Sequence, residues 1–251
     1  QIAEMMVGRA VQLVVDKKLA QPGATVFSVQ GLGVLDPDGR ALVQDISFDV
    51  REGEIVGIAG VQGNGQTELV EALTGMRKTS RGVVTLDGVD ITDASPRERH
   101  QMGIAHIPED RLRQGLIAGL TVSENLVLTR YHDDPFSNGL VMHWDKARSL
   151  SADLVEKYDI RTPSADMLAS TLSGGNQQKV IVARELSRDL RITVASQPTR
   201  GVDVGSIEYI HERIVEERDS GTAVLIVSTE LDEVMALADR LLVMYRGRIV
   251  A

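Results

Sequence analysis

The chain has 251 residues, 43% hydrophobic and 25% charged, enough to bury a substantial core as one large domain or a core with a subdomain. A formal net charge of −9 and 3% aromatic residues argue against a nucleic-acid binder, which calls for a basic face and stacking platforms. Cysteine is absent, which excludes disulfides and thiolate metal sites and fits a reducing compartment.

Residues 1–20 mix polar and apolar side chains with charges throughout and carry no signal-peptide pattern. The longest apolar runs, such as Thr222–Val227, are strand-sized and far short of a bilayer span. Met5–Lys18 reads as an amphipathic stretch, and Gln21-Pro22-Gly23 as a turn or linker, so residues 1–24 are set apart from a domain over 25–251. The chain opens at Gln1 and stops just after Arg248-Ile249-Val250, and it is expected to be a fragment of something longer.

Phe27–Gln30 and Ala41–Val50 read as strands joined through the turn Asp36-Pro37-Asp38-Gly39. Ile55–Ala59 is a buried-strand run leading into Gly60-Val61-Gln62-Gly63-Asn64-Gly65-Gln66-Thr67 and a helix over Glu68–Leu73. Strand, glycine loop and helix in that order are the context of a phosphate-binding P-loop, here with Gln66 in place of the lysine. Val83–Leu86 is a strand with an Asp87-Gly88 turn. Ser95-Pro96-Arg97-Glu98 and Thr121-Val122-Ser123-Glu124 are capping boxes that start helices. Gly103–Ile107 is a strand that runs into Pro108-Glu109-Asp110-Arg111. Asp133–Leu140 is a turn-rich loop and Lys146–Tyr158 an amphipathic helix. Ile192–Ala195 and Ala223–Val227 are short buried strands flanking a helix over Ile207–Glu217, the pattern of a parallel sheet. A last helix over Leu231–Ala238 and a hairpin through Arg246-Gly247 end the chain.

Leu172-Ser173-Gly174-Gly175-Asn176-Gln177-Gln178-Lys179 leads into an apolar helix over Val180–Leu186. A serine and two glycines at a helix N-terminus offer a hydroxyl, bare backbone N–H groups and a partial positive charge to an anion. The first four residues alone fit an ordinary Ser-capped helix equally well. The octet followed by Gln197-Pro198-Thr199-Arg200-Gly201-Val202-Asp203 resembles the signature and following loop of the ATP-binding cassette (ABC) family, and the likeness runs from about Thr25 to Val250.

The resemblance implies an α/β fold: a RecA-like P-loop NTPase core, a small antiparallel β subdomain and a helical subdomain over about residues 111–175. It implies ATP and Mg²⁺ at Gly60, Gly63, Gly65, Gln66, Thr67 and Glu109, with Thr67 as a weak metal ligand. It assigns Leu172, Ser173, Gly174, Gly175, Asn176 and Gln177 to the ATP of a facing cassette, and Asp203 to the loop beside it. The family's catalytic lysine, aspartate, glutamate and histidine fall on Gln66, Ser196, Gln197 and Thr229, and no adenine-stacking aromatic lies between Gly31 and Gly39. An amide is too weak a base to take a proton from water at neutral pH, and a neutral hydroxyl is a poor Mg²⁺ ligand. This half's own site is therefore expected not to hydrolyse ATP, while its signature completes a partner's.

That asymmetry, with Glu109–Leu116 and Gln197–Gly205, resembles the second cassette of tandem import ATPases for simple sugars or nucleosides. Met6-Val7-Gly8-Arg9 resembles the tail of a preceding cassette. The implied partners are a first cassette on the same polypeptide and integral-membrane permease subunits. The implied place is the cytoplasmic face of the membrane. Glu109–Leu116 and the helical middle are expected to carry the coupling surface for the permease. A stand-alone active ATPase and a soluble, non-transport ABC protein are the alternatives.

Overall fold

The structure, a computed structural model, describes residues 17–139 and 141–251. Most of the stretch expected to be amphipathic over Met5–Lys18, and the segment Met6–Arg9, lie outside the described residues. Lys17 and Lys18 are irregular. The chain divides into two compact units.

One unit is built from the described residues of 17–109, 189–198 and 211–251. Its strands are β1 (Thr25–Leu35), β2 (Ala41–Arg51), β3 (Ile55–Ala59), β4 (Arg81–Leu86), β5 (Val89–Asp90), β6 (Ile104–Ile107), β7 (Ile192–Ser196), β8 (Ala223–Ser228), β9 (Arg240–Tyr245) and β10 (Arg248–Ile249). They form an antiparallel sheet in the order β2-β1-β4-β5 and a six-stranded sheet in the order β10-β9-β3-β8-β7-β6, parallel from β9 to β6.

Every residue of β3, β7 and β8 is buried, as expected of short apolar runs in a parallel sheet covered on both faces. β2 instead alternates, burying Ile46, Phe48 and Val50. Asp45 sits in the left-handed region (φ 58°) and offsets Val43 from that alternation. Helix α1 (Gln66–Leu73) packs Leu69, Val70 and Leu73 into a core shared by both sheets. Its C-terminus is held by Arg99 of the short helix α2 (Pro96–Gln101). Nη1 of that buried guanidinium donates to Leu73 O at 2.6 Å, and Nη2 donates to Ile91 O at 2.7 Å and Thr92 O at 2.8 Å.

The second unit holds described residues of 110–188 and 199–210. It begins with a π-turn, Arg111–Gly115, where the expected helical subdomain starts. Helices α3 (Val122–Val127), α4 (Trp144–Lys157) and α5 (Gly174–Leu186) pack together, with Val127, Phe136 and Ala147 forming a small core. Helix α6 (Val204–Asp219) starts in this unit and ends in the first. Helix α7 (Leu231–Leu237) returns to the first unit and packs on β3, where a Cβ at Gly57 would overlap Val234. Among the described residues no helix is long and apolar enough to cross a membrane.

Candidate functional site

The glycine loop follows β3 directly and enters α1 at Gln66, two residues before the expected Glu68. Gly65 has φ 100°, and a Cβ there would sit 2.5 Å from Leu42 O; a Cβ at Gly60 would sit 2.6 Å from Met244 O. Both glycines are therefore required by packing. Gly63 (φ 85°) has nothing within 4 Å of a Cβ position, so its backbone is the open part of the cradle. The loop is braced by the β9–β10 turn, where Asn64 Oδ1 accepts from Arg246 N at 2.8 Å and Asn64 O accepts from Gly247 N at 2.9 Å.

Gln66 is 7% exposed and its side chain turns back into its own loop. Its Oε1 accepts from Asn64 N at 3.2 Å, and its Nε2 donates to Val61 O at 3.2 Å. Beside it Thr67 Oγ1 donates to Glu109 Oε2 at 3.2 Å, which brings together two of the residues singled out in the sequence.

Gln197 follows β7 in the left-handed region (φ 47°), an uncommon place for a side-chain-bearing residue and one that clusters at functional sites. Its Nε2 donates to Thr229 Oγ1 at 3.0 Å, and its Oε1 accepts from Thr229 N at 3.3 Å. The two positions that the resemblance gives to a base and a histidine are thus in contact, as an amide and a hydroxyl bonded to each other. Ser196, last in β7, is 4% exposed.

Thr67 and Glu109 fit Mg²⁺ beside a phosphate chain. Thr67 and Glu109 supply one hydroxyl and one carboxylate at hydrogen-bond distance, and Mg²⁺ is commonly held by a single carboxylate together with nucleotide phosphates. No group at Gln197 or Thr229 takes a proton from water.

In the second unit Ser173 is the N-cap of α5, with φ −62° and ψ 157°. The helix begins at Gly174 rather than Val180. Glycine's low helix propensity hides this start in the sequence, but the first turn needs no intrahelical N–H partner. Ser173 is exposed, and its Oγ accepts from Asn176 Nδ2 at 3.0 Å and Asn176 N at 3.4 Å. Both bonds use the oxygen as an acceptor, which leaves the O–H to donate to an external anion. Gly175 has a packing role: a Cβ there would overlap Ser206 Oγ and lie 2.5 Å from Asp203 Oδ2. Asp203 caps α6, accepting from Ser206 N at 3.0 Å and Ser206 Oγ at 2.8 Å. Partial burial pushes its carboxyl up, yet the Ser206 hydroxyl and backbone N–H groups outweigh this and hold it below the usual carboxylate range.

The rest of the octet is inward. Gln177 Nε2 donates to Ala169 O at 3.1 Å, and Lys179 Nζ bonds Asp159 Oδ2 at 2.6 Å while lying over the Tyr209 ring. Leu172 is half-buried. Sequence reasoning missed Ser206, although Asp203-Val204-Gly205-Ser206 is a capping spacing that could have found it. It also missed the role of Arg111, whose guanidinium donates to Arg200 O at 2.9 Å and Gly201 O at 3.3 Å. No sequence signal marks that contact.

The ABC transporter family model matches residues 43–200. The guanosine import ATP-binding protein NupO of Bacillus subtilis is 47% identical over 251 residues, 100% of this chain and 49% of that protein. The nucleoside import ATP-binding protein NupA of Lactococcus lactis is 45% identical over 249 residues, 99% and 49%. The glucose import ATP-binding protein TsgD13 of Haloferax volcanii is 45% identical, over 99% of this chain and 46% of its own length. The chain thus spans about half the length of the curated relatives it matches. A nucleotide-free ATP-binding cassette from an ABC transporter superposes with a TM-score of 0.78 at 24% identity, covering 91% of this chain and 90% of its own. A dimeric cassette in a post-hydrolysis state with ADP and phosphate gives 0.76 at 21%, covering 90% and 97%. Both share the α/β P-loop NTPase fold.

Proposed function

We propose, given that the chain belongs to the ABC transporter family, that it is the second cassette of a tandem ATPase that drives import of nucleosides or simple sugars. The import relatives, twice its length, support this, and two of the three act on nucleosides by name. A first cassette on the same polypeptide and permease subunits at the cytoplasmic face of the membrane are the partners in this reading. Gly60, Gly63, Gly65 and Gln66 line this half's own nucleotide site, with Thr67 and Glu109 placed to hold Mg²⁺. Held by Thr67 and Glu109, the ion would supply positive charge against the phosphates. Gln197 and Thr229 leave that site without a base.

Leu172–Asn176 and the Asp203 loop instead complete the site of the facing cassette, with Gln177 turned inward onto Ala169 O. The observation that carries this is the Ser173 hydroxyl, exposed at the N-cap of a 13-residue helix with its O–H free to donate. Donors aimed at phosphate charge gain strength in the transition state. Ser173→Arg would fill that space, and phosphate release by the intact tandem protein should fall by about 10²-fold or more, the scale of losing one such donor. Parental turnover in a folded Ser173→Arg protein would refute the assignment.

A further inference from the structure

We infer that Arg111 is a positioning residue for that shared site, a clamp between the start of α5 and the turn that leads to Asp203. The inference rests on the reading that the signature completes the facing cassette's site.

Arg111 opens the π-turn directly after Asp110, whose Oδ1 accepts from Leu112 N and Arg113 N, each at 3.1 Å. The backbone of Arg111 is thus set by a side-chain cap one residue before it. The guanidinium reaches Arg200 O with Nη1 (2.9 Å) and Gly201 O with Nη2 (3.3 Å). Gly201 itself lies in the left-handed region (φ 66°), so the turn it makes is a specific one. On the other side of the guanidinium is Gly174, where a Cβ would sit 2.8 Å from Nη2 and 3.4 Å from Gly201 O. One planar group therefore bonds the turn two residues before Asp203 and lies beside the first residue after Ser173.

The chemistry selects arginine. A rigid fork meets two consecutive carbonyls at once, whereas an ammonium is a point donor on a flexible stem. The arrangement is not one that stability alone favours, because Arg111 Nε is buried with no hydrogen-bond partner among the described residues. An idle buried donor carries a desolvation cost.

A misplacement of ~1 Å in catalytic groups costs about 10²-fold in rate. Because the clamp acts on groups that meet the transferring phosphate, its loss should appear in kcat more than in KM. The test uses the intact tandem protein assembled with its membrane subunits, as Arg111→Ala, Arg111→Lys and Ser173→Arg variants. ATP hydrolysis, thermal melting and amide hydrogen exchange over residues 200–203 are measured on each. Both Arg111 variants should lose ~10-fold or more in kcat with KM for ATP changed by less than about 2-fold. Exchange over 200–203 should quicken while the melting midpoint stays at the parent's. Parental kcat in the Arg111 variants beside a dead Ser173→Arg overturns the clamp alone. An active Ser173→Arg overturns both the clamp and the reading beneath it, whatever the Arg111 variants do. Full rescue by lysine would show that charge suffices and would also overturn the clamp. So would a loss that comes with a lowered melting midpoint and faster exchange throughout α5.

Discussion

Gln66 spends both ends of its amide inside the glycine loop, on Asn64 N and Val61 O. A donor that an anion would use is therefore occupied, and the charge a lysine would bring is missing. Gln66→Lys releases Asn64 N and adds a cation worth up to roughly 4 kcal/mol against a unit charge at ~4 Å and an effective dielectric of ~20. Mg-ATP should bind the variant chain ~10-fold tighter or more, read by calorimetry, while phosphate release stays at the parent level. Unchanged affinity would show that the Gln66 bonds do not govern the cradle. Position 174 needs similar care. From sequence, Gly174→Asp reads as a like charge set against phosphate. In the structure the new carboxylate would meet Arg111 first and draw it from the Arg200 and Gly201 carbonyls. Gly174→Ala separates the two effects, since it crowds Arg111 without adding charge. It should still lower turnover of the intact protein, and parental turnover would favour repulsion alone.

The elements that the sequence announced are those with local causes. Both capping boxes form: Ser95 N donates to Glu98 Oε2 at 2.7 Å and Thr121 N donates to Glu124 Oε2 at 2.7 Å. Ser95→Ala should cost about 1 kcal/mol in urea unfolding, the ordinary worth of an N-cap. A change under ~0.3 kcal/mol would mean that Arg99, not the box, holds α2. Asp87-Gly88 and Arg246-Gly247 place two consecutive residues at positive φ, the turn their hairpins require. What stayed hidden depends on distant packing. The helix start at Gly174 is masked by two glycines, and their reason is Arg111, Asp203 and Ser206, far away in sequence. The π-turn at Arg111–Gly115 has no periodicity to read. The site divides the same way. P-loop and signature were legible as spacings, whereas the Gln66 bonds and the Arg111 fork were not. Asp203 carries a pH signature of its own. A carboxyl held below its usual range contributes stability above the unfolded value near 4, and loses it as pH falls through the folded value. Asp203→Asn should therefore flatten the acid-side loss of stability below about pH 4. An unaltered acid limb would show that Asp203 is not what titrates there.

At the scale of the whole molecule, the proposed reading gives the P-loop side no base and gives the signature side to the facing cassette. Groups that act as a unit are restored as a unit, so Gln66→Lys, Ser196→Asp, Gln197→Glu or Thr229→His alone should each leave the chain inactive. The four together supply a cation, a metal ligand, a base and an imidazole on elements already in place. Gln197 and Thr229 are in contact, and Thr67 and Glu109 lie within hydrogen-bond distance. The substitution at 196 has a cost, because a carboxylate at a position 4% exposed is desolvated. The fourfold variant should melt below the parent, and Mg-ATP should recover part of the loss by binding the native state. If the signature is competent, two such copies facing head to tail complete each other's sites, and no first cassette is needed. Phosphate release should then exceed the parent's by ~10-fold or more, and activity per chain should rise with chain concentration. Activity per chain independent of concentration would place the whole reaction within one copy. No gain at all in a folded, Mg-ATP-binding fourfold variant would mean that the signature face is as impaired as the P-loop face.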